Sequence, residues 1–145
     1  MSKLYDFYKD HNMHINKKEF ENFKNGLVNL GNTCFLNSIL QCMRINLDLS
    51  NYFLKKDFLE DLIKIPQSFI TIGFYKLVNK IWKETDNNAI KPIDFFNFYQ
   101  KTCLKLKKHR FIGYNQNDAE EFLLFFLNCI HDSLSYKDLT INVVG

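Results

Sequence analysis

A mainly α-helical fold is what this sequence predicts, and three features carry the prediction. Apolar residues recur three and four positions apart through most of the chain, the period of a helix with one buried face. Between these runs stand polar breaks that signal turns and helix ends: the Gly- and Asn-containing stretch before Cys34, Pro66, and Asp86-Asn87-Asn88. Fifteen Phe and seven Tyr bring the aromatic share to 16%, which suits large helices packed on a core. At 145 residues and 46% hydrophobic content the chain reads as one domain, with no compositional sign of disorder.

Residues 1–25 are polar with scattered aromatics and read as a lead-in, with a short helical pattern at Lys17 to Lys24. From Gly26 a loop with Asn29, Gly31 and Asn32 gives way at Cys34 to an amphipathic run, Phe35, Leu36, Ile39, Leu40 and Met43 sharing one side. This predicts a helix from Cys34 to about Asn46, capped by Asn32 or Thr33. Leu47 to Lys64 continues the pattern through Tyr52, Phe53, Phe58 and Leu62 up to Pro66. Ser68 is predicted to cap a helix with Ile70, Phe74, Leu77, Val78 and Ile81 on its inner face, weakened locally by Gly73. Pro92 or Asp94 starts the next, through Phe95, Phe96, Phe98, Tyr99 and Cys103, and Lys105 to Lys108 suit its C-terminus. Asn117 with Glu120 fits an Asx form of the capping box for a final helix reaching about Ser133. That helix is apolar on nearly all sides, so a central position is expected. Leu139 to Val144 reads as the start of a strand.

Charge and cysteine usage narrow the function classes. Net charge is +3, and Arg44 and Arg110 are the only arginines in a Lys+Arg total of 19, a poor supply for bidentate phosphate reading. The densest basic run, Lys105 to Arg110, is interrupted by Leu106 and reads as a solvated helix end, so no nucleic-acid partner is expected. No run approaches a membrane span; the longest apolar block, Phe122 to Leu127, lies between Glu121 and Asn128. Cys34, Cys42, Cys103 and Cys129 show neither CxxC spacing nor a neighbouring His pair, and His11 and His14 lack a third ligand, so no metal and no cofactor is expected. Charged Lys3, Asp6, Lys9 and Asp10 stand where a signal peptide would be apolar, which favours an intracellular, reducing compartment, cytoplasm or nucleus.

The chemistry-bearing position is Cys34. A helix N-terminus has unpartnered N–H groups and a partial positive charge, and both stabilise a thiolate over a thiol. Cys34 is therefore a candidate nucleophile, against the plainer reading of a small buried hydrophobe behind an ordinary cap. The string Gly26-Leu27-Val28-Asn29-Leu30-Gly31-Asn32-Thr33-Cys34-Phe35-Leu36-Asn37-Ser38-Ile39-Leu40-Gln41 resembles the cysteine box of the ubiquitin-specific proteases, papain-like thiol hydrolases that cleave ubiquitin from proteins. The resemblance implies Cys34 as nucleophile and Asn29 as the oxyanion-hole residue, an amide being able to donate to the oxygen that turns negative.

A second box, Gly113-Tyr114-Asn115-Gln116-Asn117-Asp118-Ala119-Glu120-Glu121-Phe122-Leu123, resembles the family's Gly-Tyr leading into Gln-Gln-Asp-Ala-His-Glu-Phe-Leu, with Asn117 and Glu120 as departures. It implies that Gln116 and Asp118 contact the extended ubiquitin tail; helix-dipole complementation would by itself also place acids at Asp118, Glu120 and Glu121. The resemblance covers roughly Gly26 to Leu134 and implies the helical half of a papain-like α+β cysteine protease fold. Residues 26–145 are then the thumb-like N-terminal part of a catalytic domain, cut before the strand-rich part that carries the general-base His and its Asp or Asn. His11, His14, His109 and His131 do not stand in that His's sequence context. The implied activity is cleavage after the ubiquitin C-terminus, with ubiquitin and ubiquitinated proteins as partners and a second chain as one source of the His/Asp half. The alternatives are an inactive module that binds ubiquitin or a host factor, and an unrelated helical structural protein.

Overall fold

The computed structural model describes residues 25–84 and 86–135. The lead-in, His11, His14 and the strand expected at Leu139 to Val144 lie outside the described residues. Within them are six α-helices: α1 (Cys34–Ile45), α2 (Leu47–Leu54), α3 (Phe58–Asp61), α4 (Ser68–Lys83), α5 (Ile93–Lys105) and α6 (Ala119–Leu134), with a 3₁₀ turn at His109–Phe111 before α6. A single parallel bridge, Leu27 with Ile90, is the β-type pairing among the described residues. The mainly α class predicted from periodicity holds.

The apolar faces anticipated from spacing are the buried ones. Phe35, Leu36 and Leu40 of α1, Ile70, Phe74, Leu77, Val78 and Ile81 of α4, and Phe95, Phe96, Tyr99 and Cys103 of α5 meet in one core with Phe122 and Phe126 of α6. Aromatic rings dominate it: Phe74 stands edge-on to Phe53 at 5.2 Å and to Phe126 at 5.2 Å, linking α2, α4 and α6. α4 packs on α2, α5 and α6, while α6 also touches α1 and α3. The middle is thus held by α4 and α6, and α1 lies to one side against α6 and α2. α6 is buried along Phe122, Phe125, Phe126 and Cys129, yet Leu124 and Leu127 are exposed, so it is more one-sided than its composition implied.

Three boundaries differ from expectation, each for a local reason. The run from Leu47 does not continue smoothly to Lys64. Asn46 is extended (ψ 105) and its side chain accepts from the Leu49 N–H, starting α2 afresh, while Lys56 at φ 63 ends that helix before α3. Ser68 is not the cap of α4 but its first residue. Its hydroxyl turns back, accepting from the Ile65 N–H at 3.3 Å and donating to the Ile63 carbonyl, so that it closes the half-buried turn before it.

Gly73, read as a weak point, is where α5 comes close. A Cβ there would lie 3.2 Å from Phe98 Cδ2 and 3.4 Å from Phe95 Cδ2. Gly73→Val should therefore lower stability by about 1–3 kcal/mol through overpacking. Urea unfolding checks this; an unchanged midpoint would mean that α4 and α5 are not in that close contact.

Candidate active site

The loop before α1 is built around one side-chain oxygen. Asn29 Oδ1 accepts from the Gly31 N–H at 2.9 Å, the Thr33 N–H at 3.2 Å and the Thr33 hydroxyl at 3.2 Å. Thr33 Oγ1, buried to 1% exposure, accepts in turn from the Leu30 N–H at 3.0 Å. Gly31 at φ 111 and Asn32 at φ 53 reverse the chain, and α1 starts at Cys34. Thr33 is the cap position, as one of the two expected residues, but its hydroxyl serves the loop and not the helix amides. The first intrahelical bond runs from the Asn37 N–H to the Thr33 carbonyl at 2.9 Å, so the N–H groups of Cys34, Phe35 and Leu36 are not used within the helix. Cys34 is exposed. Asn29 is exposed too, and with its Oδ1 occupied by the turn its Nδ2 remains as a donor without a partner among the described residues.

α1 is tied to the chain before it by polar residues at helical spacing. Asn37 Nδ2 donates to the Val28 carbonyl at 3.1 Å, Gln41 Nε2 to the Asn25 carbonyl at 3.3 Å and Arg44 Nη2 to the same carbonyl at 2.7 Å. Arg44 Nε also donates to Gln41 Oε1, and the Arg44 carbonyl accepts from the Ser50 hydroxyl at 2.9 Å. Arg44 is only 4% exposed, and this burial lowers its pKa. Asn25 passes the restraint on, its amide donating to the Asp86 and Asn88 carbonyls at 2.8 Å each. The segment carrying Asn29 is thereby held at both ends. Sequence reasoning missed Arg44 and Asn25; the available signal was the i, i+4, i+7 spacing of Asn37, Gln41 and Arg44 on an otherwise amphipathic helix.

The second box is folded against the first. Asn32 Nδ2 donates to the Tyr114 carbonyl at 3.1 Å, and a Cβ on Gly31 would lie 3.5 Å from the Tyr114 ring. That ring stacks on Phe96 at 5.1 Å with 24° between the planes. Gln100 of α5 clamps the loop, donating to the Phe111 carbonyl at 3.0 Å and accepting from the Gly113 N–H at 2.6 Å. Arg110 pairs with Glu121, joining the 3₁₀ turn to the first turn of α6. The cap of α6 is Asp118, which accepts from the Glu121 N–H at 3.1 Å, and not Asn117. Asn117 instead donates to the Asn115 carbonyl at 3.0 Å; the extended Asp118 backbone (ψ 133) puts the carboxylate, one residue later, over the free amides. Asp118 and Gln116 are both exposed.

The remaining ionisable candidates lie elsewhere. His109 is exposed in the 3₁₀ turn and His131 is exposed in the last turn of α6. Among the described residues no three His, Cys, Asp or Glu side chains are grouped to hold a metal. All four cysteines are free; Cys34 and Cys42 are exposed, Cys103 and Cys129 buried. Burial pushes the Cys103 and Cys129 thiols up from 9.0 to about 12. A thiol reagent at pH 8 should therefore count two cysteines in the native protein and four after denaturation; four in the native state would contradict the burial. Because these thiols stay protonated when folded but ionise on unfolding above about pH 9, stability should be full below that pH and fall as it rises toward 12. Thermal melts at pH 8 and 10.5 test the sign.

An exposed thiol heading a packed helix, behind an Asn-held turn and beside a second loop bonded to that turn, fits the helical half of a papain-like thiol hydrolase. The chain belongs to the ubiquitin carboxyl-terminal hydrolase family, whose model matches residues 25–143. It is 40% identical over 112 residues to ubiquitin carboxyl-terminal hydrolase 2 of Bos taurus, a match covering 76% of this chain and 18% of that protein. Putative ubiquitin carboxyl-terminal hydrolase 11 of Arabidopsis thaliana is 39% identical over 114 residues, covering 76% of this chain and 12% of that protein. Among solved structures, a chain of the SAGA Ubp8/Sgf11/Sus1/Sgf73 DUB module bound to ubiquitin aldehyde superposes with a TM-score of 0.61 at 26% identity, over 91% of this chain and 29% of that chain. The chain thus spans less than a fifth of the length of these curated relatives. No helix among the described residues is long and apolar enough to cross a membrane.

Proposed function

We propose that residues 26–145 are the thumb-like part of a deubiquitinating thiol hydrolase domain, with Cys34 as its nucleophile. The Cys34 sulfur attacks the carbonyl carbon at the ubiquitin C-terminus, in an isopeptide or peptide bond. The carbonyl oxygen takes the negative charge and accepts from Asn29 Nδ2. The amine leaves with a proton from an imidazole that had taken the thiol proton, and water then hydrolyses the thioester. That imidazole comes from the strand-rich portion of the family fold, in cis or from a second chain. Gln116 and Asp118 hold the ubiquitin tail, Asp118 through the carboxylate oxygen that the α6 cap does not use. The reaction takes place inside the cell, in keeping with four free thiols.

One observation carries this reading: Asn32, two residues before Cys34, bonds to Tyr114, two residues before Gln116, so the two boxes meet although |i−j| is 82. The test is binding of ubiquitin aldehyde, whose carbonyl carbon accepts a thiol sulfur while its oxygen gains the proton. The chain should bind it more tightly than plain ubiquitin, and Cys34→Ala should bind both alike. Equal binding of the aldehyde by the chain and the Cys34→Ala variant would leave a ubiquitin-binding module without thiol chemistry.

A further inference from the structure

The basic residues near the end of α5, read from sequence as a solvated helix end, include one that borders a cleft which the proposed chemistry does not use. A cavity of about 600 Å³ opens between the stretch after α3 and the first turns of α4. Its walls are apolar: Leu62, Ile65, Pro66, Phe69 and Ile72, with Leu59 at the rim 52% exposed. Both charged groups that line it are cationic, Lys64 and Lys105. Lys101 extends the positive edge, its Nζ lying 4.4 Å from the Phe69 ring centre, with Lys105 Nζ at 5.3 Å from the same ring. Phe69 also stacks on Phe98 at 5.9 Å, and Lys76 Nζ stands 5.3 Å over the Phe98 ring. The ion pair among the described residues is Arg110 with Glu121, so no carboxylate there pairs with Lys64, Lys76, Lys101 or Lys105.

The cleft is remote from Cys34 and from the second box. The N–H of Ile63, one of its lining residues, donates to the Ser133 carbonyl at 2.9 Å, at the C-terminal end of α6. Asp118 caps the opposite end of that helix, and 16 residues of α-helix span about 24 Å. An occupant of the cleft would therefore leave the Cys34 loop open.

We propose that this cleft is a docking site for an acidic peptide segment of a partner protein, one that inserts apolar side chains against Ile72 and Phe69 and sets carboxylates on Lys64, Lys105 and Lys101. Charge complementarity selects that occupant. An apolar slot of this size suits two or three side chains, and an edge whose charged groups are all cationic, with no carboxylate partner among the described residues, opposes a basic partner. The site is independent of the proposed thiol chemistry and would recruit a substrate or a regulator to the face away from it.

A phage-displayed library of random dodecamer peptides, panned against the 145-residue chain, tests this. Enriched peptides should combine two or more large apolar residues with a net negative charge, and a synthetic copy should bind more weakly as salt is raised. The Lys64→Glu/Lys105→Glu variant changes exposed positions only, and should weaken that peptide about tenfold or more while its circular dichroism is unchanged. Cys34→Ala should bind it as the unaltered chain does. The proposal is overturned if the enriched peptides are basic or neutral, if none is enriched on a folded chain, or if the charge-reversed variant binds equally. It is also overturned, in favour of a membrane surface, if only phosphatidylserine vesicles bind and the same variant releases them.

Discussion

Phe122→Ala should cost about 3–5 kcal/mol of stability, among the largest effects of any single core truncation in this protein. The side chain is fully buried, 5.6 Å from the Phe35 ring and 5.4 Å from Tyr99, both edge-on, with Phe95 at 6.4 Å and Phe126 at 6.0 Å. It therefore joins α1, α5 and α6 at one point, and no neighbouring ring can refill the hole without leaving its own partners. Phe35 follows Cys34 directly, so the same truncation loosens the seat of the helix start that presents the thiol. Urea denaturation measures the loss; a change below about 1 kcal/mol would show that the aromatic cluster is not packed as described.

Asn29→Asp should weaken capture of ubiquitin aldehyde by about 100-fold or more, in line with the loss of an oxyanion donor. The substitution separates two jobs. Aspartate keeps an oxygen for the Gly31 and Thr33 amides and the Thr33 hydroxyl, so the turn before Cys34 is retained. It removes the Nδ2 hydrogens and places a negative charge where the tetrahedral oxygen needs a donor. Asn29→Ala should lose the turn as well and cost stability, each lost bond to the buried Thr33 contributing about 1 kcal/mol. Undiminished aldehyde capture by a folded Asn29→Asp variant would assign Asn29 to the turn alone.

The periodic part of this fold was legible in the sequence, because burial of one helix face writes a 3.6-residue period into the residues themselves. The core of α4, Ile70 to Ile81, follows from spacing alone. Breaks inside an apolar period were harder to read. Asn46 caps α2 in the middle of a continuing apolar pattern, and Lys56 adopts φ 63 although nothing about lysine favours it. The cap of α6 was misplaced by one residue since Asn117 and Asp118 are both good caps and only the backbone angle chooses between them. At the site, Cys34 and Asn29 stand in a local motif, whereas Gln100, Asn25 and Arg44 act through bonds to distant backbone groups. Pairing of that kind leaves no period to detect.

The central claim is that Cys34, of the two exposed thiols, is the one directed at the ubiquitin C-terminus. The direct measurement is to incubate the chain with ubiquitin carrying a C-terminal thiol-reactive electrophile and to locate the adduct by peptide mass spectrometry. The account predicts one ubiquitin per chain, on Cys34, retained in Cys42→Ala and lost in Cys34→Ala. An adduct on Cys42, or none on a chain that circular dichroism shows to be folded, would contradict it.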